Sequence, residues 1–381
     1  MSVRFQPGGA LRQDAIYVER RADTLLPAAL LAGELSYVLA PRQMGKSSLR
    51  VRTETELRRH GHATVSIDVT ALGATGATPE TWYFGMIDEI ARRLSLPDPA
   101  PFWSRHRRLS PVQRLSRYLK SSLLNDVAAP IVVFFDEIDA VRALPFPVDD
   151  FFAALRALYN ERAEDRACER LTFCMMGVAA PTDLMADVTR TPFNVGRGIR
   201  LEDFDQEEAK GFLPGLASLT EEAQTALTAV LYWTHGHPYM TQRLCEALLR
   251  DPREPGLPVR VQVSRLINNL FFTRGRTDDL SLASMEREFQ RARVRRRALE
   301  MLSLYGRLLA DENILSVSDD PVQTALRLAG MAAERDDGAS VWLRVRNPIV
   351  EHVFDDTWAQ QTTTALERAP RKTPRARPPR T

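Results

Sequence analysis

The sequence predicts an α/β protein: a parallel sheet with helices on both faces, followed by a helical stretch and a second helical module that carries a short strand pair. Three observations carry that expectation. Up to about residue 205, short apolar runs alternate with longer segments whose apolar residues recur every three or four positions, the pattern of buried strands separated by amphipathic helices. From Asp205 to about Arg250 the strand signal stops. Near the C-terminus a strand-like run, VWLRVRNP, stands between two helical patterns.

The expected strands are Ser36 to Ala40, Thr64 to Val69, Ile131 to Phe135, Leu171 to Gly177 and Ile199 to Leu201. Each is short and mostly apolar. Between them, Ser47 to Arg59, Thr81 to Leu94, Pro111 to Leu124 and Asp150 to Arg162 have helical spacing. Helical patterns at Gln206 to Leu213, Thr220 to Trp233 and Tyr239 to Leu249 predict a small helical lid. Residues 251–260, DPREPGLPVR, are rich in Pro and charge and read as a linker. Beyond it, Arg295 to Leu309 carries an apolar face at Leu299, Met301, Leu302, Tyr305, Leu308 and Leu309, and a last helix spans Ile349 to Trp358. Helices capped by a strand pair predict a winged-helix module. The tail has Pro and Arg but little to bury, so disorder is expected there. The resulting division is 1–204 for the sheet domain, 205–256 for the lid, 257–361 for the winged-helix-like module and 362–381 for a basic tail. The aromatic pairs Trp82-Tyr83, Phe134-Phe135 and Phe151-Phe152, and Met175-Met176, are expected in the core.

Composition narrows the function. With 381 residues, 44% apolar and 26% charged, the chain can bury a core of domain size. Its 51 basic and 49 acidic side chains leave a net charge of +2, so no global field commits it to a polyanion or a membrane surface. Cys168, Cys174 and Cys245 lack metal-ligand spacing and sit in apolar surroundings, which suits buried thiols in a reducing compartment. The N-terminus does not read as a signal peptide and no stretch is apolar enough for a membrane helix, so a cytoplasmic location is expected.

The chemistry begins at VLAPRQMGKSSLR, residues 38–50. A phosphate-binding loop needs a strand, a loop whose N–H groups curl around the phosphates, a Lys for their charge, and a Ser or Thr hydroxyl for Mg2+. Here Tyr37 to Ala40 is the strand, Arg42, Gln43, Met44 and Gly45 form the loop, Lys46 is the cation and Ser47 the metal hydroxyl. Ser48 opens a helix whose N-terminus favours anions. The first glycine of the usual pattern is replaced by Ala40. About ninety residues on, IVVFFDEIDA places a buried strand directly before Asp136 and Glu137. At the carboxyl end of a neighbouring strand, Asp136 would hold Mg2+ through water while Glu137 polarises the attacking water.

Together with FQPGGALRQDAIYVERRAD, DDFFAALRALYNERA, TPFNVG and THGHPYMTQRLC, these motifs resemble the AAA-like domain family of P-loop ATPases, within the signal-transduction (STAND) class, over most of residues 5–360. The resemblance implies a P-loop sheet with an additional strand, a helical lid, a winged-helix segment, and ATP with Mg2+ serving a nucleotide-controlled switch. Effector or repeat domains often share the polypeptide in that class; none is visible here, so action through a separate protein partner or self-association is expected. The resemblance sets Tyr17 and Val18 against the adenine, the alternative being an edge segment with an exposed Arg20. It brings Pro238 of the lid to the nucleotide. Two readings remain for His237, a donor to ATP or a helix-start residue, and His235 shares that ambiguity.

Relatives with vigorous activity place a polar residue at the end of the fourth strand to orient water, where this chain has Gly177 and Val178. Unless Thr182 or Asp183 substitutes, hydrolysis should be slow, roughly a turnover per minute or below against ~10 per second for a median enzyme. Arg190 and Arg197 are the candidates for the arginine that meets phosphoryl charge. Finally, REFQRARVRRRALE crowds Arg287, Arg291, Arg293 and Arg295 to Arg297 at the start of the winged-helix segment. Such a stripe could grip DNA phosphates. The interleaved Glu286, Glu288 and Glu300 favour ion-paired helix surfaces instead, so a DNA-binding ATPase resembling replication-initiator or DNA-loading AAA proteins is the alternative, and DNA is not the favoured partner.

Overall fold

The computed structural model describes residues 4–12, 14–185, 191–251, 256–273, 278–291 and 295–368. After an extended N-terminal segment come α1 (Arg21–Leu31), β1 (Ser36–Leu39), α2 (Lys46–Arg59), β2 (Ala63–Asp68), α3 (Pro79–Arg93), α4 (Pro111–Tyr118), β3 (Ile131–Asp136), α5 (Asp149–Asn160), β4 (Leu171–Gly177) and β5 (Arg197–Gly198). Local chemistry sets several helix starts. Thr78 and Ser110 each cap a helix through a reciprocal capping box, with Pro in the first turn.

The sheet is parallel, in the order β2-β3-β4-β1-β5. The fourth strand therefore stands between the strand that feeds the phosphate loop and the strand that ends in Asp136. This is the additional-strand arrangement, and it corrects the expectation that those two strands are neighbours. Register brings their ends level: Leu39 lies opposite Gly177, Phe135 opposite Met175 and Asp68 opposite Asp136. Ligands of open parallel sheets bind at such carboxyl edges.

Both faces are covered, and period-two alternation decides which residue goes where. Phe134 packs with Leu26, Leu30, Leu49 and Leu57 on the α1–α2 side, whereas Phe135 packs with Trp82, Phe151, Phe152 and Phe173 on the α3–α5 side. The aromatic pairs and Met175-Met176 are buried as expected. The fifth strand is Arg197–Gly198 rather than Ile199 to Leu201; Ile199 still donates to the Tyr37 carbonyl at 2.9 Å. Missed altogether was α1, whose interior Pro27 argues against a helix by local rules but is buried in the packed face.

Past Asp205 the lid starts with one α-helical turn, Gln206–Ala209, and continues as a 3-10 segment, Lys210–Glu222, in which Pro214 disfavours α-helical bonding. Then come α6 (Ala223–Thr234), α7 (Pro238–Arg250), α8 (Val259–Ile267), α9 (Leu280–Arg291), α10 (Arg295–Leu309), β6 (Ile314–Leu315), α11 (Pro321–Leu328), β7 (Ala332–Asp336), β8 (Val341–Val345), α12 (Pro348–Val353) and α13 (Asp356–Arg368). The strands form a small antiparallel sheet, β6-β8-β7, with one strand more than expected. Residues on both sides of the 251–260 stretch enter one apolar cluster, from Phe212 and Leu244 to Tyr305 and Trp358, joined by Phe5, Ile16 and Val18 of the N-terminal segment. The last helix runs to Arg368, past Thr362 where the tail was expected to begin, because Trp358 and Ala359 anchor it.

Candidate nucleotide site

The Leu39-to-Lys46 connection turns sharply at the sheet edge. Gln43 and Gly45 both have positive φ, 64° and 86°, and Gly45 is the N-cap of α2. Unlike α3 and α4, this helix has no capping side chain, and its first turn holds no acidic residue. A helix start leaves N–H groups without intrahelical acceptors and carries partial positive charge, so α2 presents donors that no side chain of its own satisfies.

Above it lies a cavity of ≈ 300 Å³, within the usual range for small-molecule sites. Its wall includes Arg42, Gln43, Gly45, Lys46, Ser47 and Ser48 from the loop, Tyr17 and Val18 from the N-terminal segment, Glu137 from beyond β3, and Pro238 from the lid. These are most of the residues the sequence singled out. Met44 stands behind the wall: its side chain is buried in the α1–α2 core and its carbonyl accepts from Arg20 at 2.8 Å. Tyr17 and Val18 do reach the cavity, but Arg20 beside them is buried, bonded to the Met44 and Glu202 carbonyls, which corrects the exposed-arginine alternative. Leu11 N donates to Ser48 Oγ at 3.2 Å, tying the N-terminal segment to the loop.

Charge dominates this wall. Four cations, Arg20, Arg42, Lys46 and Arg287, line it with Glu137 as the sole acid among the described residues. Burial pulls the Lys46 ammonium down to about 8, against the opposing pull of Glu137 and Asp139, and Nζ donates to the Ala40 and Pro41 carbonyls at 2.9 and 2.8 Å. Glu137 is pushed up, first by burial and then by Asp139, with Lys46 and Arg42 opposing. Gln43 Oε1 is buried without a hydrogen-bond partner, an acceptor held ready in the wall.

Asp136 stands one step behind that wall. Its Oδ1 accepts from Glu137 N and its Oδ2 from Arg50 Nε, both at 3.0 Å, so its charge is met by an arginine on α2 that the sequence reading overlooked. Asp139 was overlooked as well. Its Oδ1 accepts from Val178 N at 3.1 Å, and a β-carbon on Gly177 would come within 2.9 Å of that oxygen. A carboxylate from the loop after β3 thus fills the place at the end of β4 where a polar side chain was sought. Thr182 and Asp183 do not serve there, because Asp183 pairs with Arg297 and both residues line a different cleft.

The remaining candidates separate. Arg197 lies opposite Ser36, at the amino end of β1, and pairs with Glu34 at 2.9 Å, so this chain's own fold keeps it away from the loop. Arg190 falls outside the described residues. His237 is the N-cap of α7, accepting from Met240 N, which is the helix-start reading; burial, then Arg346, lowers it to about 4. His235 instead faces Arg344 and the Arg346 carbonyl.

Residues 6–254 match the AAA-like domain family. The chain belongs to that family. A 36% identical relative, an uncharacterised WD repeat-containing protein of Synechocystis, aligns with 94% of this chain, which spans only 31% of that protein's length. Among solved structures, this AAA-like chain shares its fold with the Walker-type ATPase of Pyrococcus abyssi (15% identity, TM-score 0.52, 92% of this chain and 99% of that one). It is similar too to the ORC2 protein of Aeropyrum pernix in its ADPNP–ADP complexes (13% identity, TM-score 0.54, 94% and 98%). Family and fold agree with the phosphate-loop geometry: this is a P-loop protein of the nucleotide-binding AAA-like kind. No helix among the described residues is long and apolar enough to cross a membrane.

Proposed function

We propose that this AAA-like protein binds Mg-ATP in the cavity above α2 and works as a slowly hydrolysing switch of the signal-transduction type, passing its nucleotide state to a protein effector. The observation that carries this reading is the uncapped start of α2 opening into a cavity with four cations and one carboxylate. Such a site asks for a compact polyanion.

In this reading Lys46 turns its ammonium from the loop carbonyls to the phosphate chain, and the N–H groups after Gly45 donate to phosphate oxygens. Tyr17, Val18 and Pro238 hold the base. Glu137, with its proton affinity raised by burial, accepts a proton from the attacking water. Ser47 directly and Asp136 through water would hold Mg2+, which when bound supplies neutralising charge at the phosphates; a hydroxyl and a carboxylate are the oxygen donors this hard cation prefers. Turnover is slow because Asp139 spends its carboxylate on Val178 N, leaving water orientation weak. Arg197 has no support as an arginine acting within the chain, which leaves that role to Arg190 or to an arginine of a neighbouring copy.

The partner is proposed to be a protein. A relative that contains WD repeats favours this, and so does the state of the basic run: Arg296 pairs with Glu300 at 2.8 Å and Arg297 with Asp183, which leaves less free charge for DNA. A duplex-binding role for a winged-helix-like C-terminal module has correspondingly less support.

Thermal unfolding with Mg-ATP tests the site. At 100 times Kd the parent should gain about 2.7 kcal/mol, and Lys46→Ala should lose that gain. Equal shifts for parent and variant would remove the loop from nucleotide binding.

A further inference from the structure

We propose that Arg287, on helix α9 of the C-terminal module, is a nucleotide-contacting residue that reads the phosphate chain and so ties the position of that module to the occupancy of the site. The proposal rests on the Mg-ATP reading and adds a residue that the family match, residues 6–254, does not reach.

Three of the four cations of the cavity are already engaged. Arg20 is spent on the Met44 and Glu202 carbonyls, Lys46 on those of Ala40 and Pro41, and Arg42 faces Glu137 and Asp139. Among the described residues, Arg287 is the one cation of this wall with neither a carboxylate nor a carbonyl partner. It is not placed there by a chance excursion of one side chain. Leu280, Ser284 and Arg287 fall at helical spacing on α9, and all three line the cavity, so a whole face of the helix is presented to it. The apolar side of the same helix, through Leu282, Met285 and Phe289, is buried in the cluster shared by lid and C-terminal module. An arginine on a helix so anchored cannot approach a ligand without the module following.

The fold also separates members of the arginine-rich run. Arg287 faces the nucleotide cavity, whereas Arg296 and Arg297 line a second cleft and are ion-paired. A guanidinium matches phosphate oxygens with two donors at once, and its exposure at the rim leaves it free to swing inward. Because coupling is reciprocal, a contact that tightens ATP binding must equally stabilise the docked position of α9.

The test compares the parent with Arg287→Ala, Arg287→Glu and Arg287→Lys, titrated with ATP and with adenosine, alongside amide hydrogen exchange over residues 280–289. Expected are ATP binding weakened roughly tenfold by the Ala change, more by Glu and little by Lys, with adenosine affinity unchanged. In the parent, ATP should slow exchange across 280–289, and in the Ala variant that slowing should be lost while ATP saturates the site. Unchanged ATP affinity in both Ala and Glu variants would overturn the proposal, as would adenosine losing as much as ATP. A parent that fails to bind ATP at all would overturn the nucleotide reading itself, and with it this one.

Discussion

One guanidinium nitrogen of Arg346 donates to both carboxylate oxygens of Asp203, at 2.8 and 3.0 Å, in a pair that joins the segment after β8 to the chain just ahead of the lid. The same nitrogen lies 3.5 Å from the Met44 sulfur, at the back of the phosphate loop. Burial alone would raise Asp203, yet Arg346 and then His237 hold it below its ordinary range. This is where the C-terminal module is pinned to the site.

Arg346→Ala should therefore be severe. Stranding one member of a buried ion pair costs about 3–5 kcal/mol, because the remaining charge has lost its partner but not its burial. Urea unfolding of Arg346→Ala, Asp203→Asn and the double variant would measure it. A double variant about as unstable as either single one is expected; a loss equal to the sum of both would mean that the two residues do not interact.

Lys46 makes stability and binding respond to pH in opposite senses. Its ammonium titrates near 8 in the folded protein against an ordinary 10.5. Between those values the unfolded chain holds more protons, so this group's contribution to stability rises with pH across that window. Nucleotide needs the charged form. ATP affinity should fall as pH passes about 8, by up to tenfold per unit, with proton uptake visible by calorimetry in two buffers. Lys46→Arg should flatten that dependence.

Gly236→Ala should loosen the lid. Gly236 has φ +80° and a β-carbon there would meet the Phe204 carbonyl oxygen at 2.0 Å, a clash with backbone rather than with a movable side chain. The left-handed backbone alone costs roughly 1–2 kcal/mol, and separating Phe204 from the lid adds to it. Faster proteolysis between α6 and α7, with the sheet domain intact, is the expected observation.

Glu137→Gln should keep ATP binding and depress phosphate release by roughly 10²-fold or more, the scale of a lost general base. Unchanged release from purified protein would take Glu137 out of that role. Asp139→Asn keeps an acceptor for Val178 N and should leave both properties near those of the parent.

Much of this protein was legible without coordinates, and for a reason. Strand and helix periodicity, the loop from Ala40 to Ser47 and the Asp136-Glu137 pair are all local: the residues that act together are neighbours in the chain or repeat at a fixed period, so spacing alone reports them. His237 as a helix start was open to the same kind of reading.

Where the sequence reading stopped short, the partners are far apart in the chain. Arg50 meets Asp136 across 86 positions, Asp139 meets Val178 across 39, and Arg346 meets Met44 across 302. Nothing in the composition around Arg287 separates it from Arg296, yet one faces the nucleotide cavity and the other a paired surface. The linear order of residues determined the sheet, the loop and the carboxylates; packing of the lid and the C-terminal helices on the sheet edge decided which arginine neutralises which acid. That division is physical, since periodicity acts within one element while buried charges are matched only when separate elements close over them.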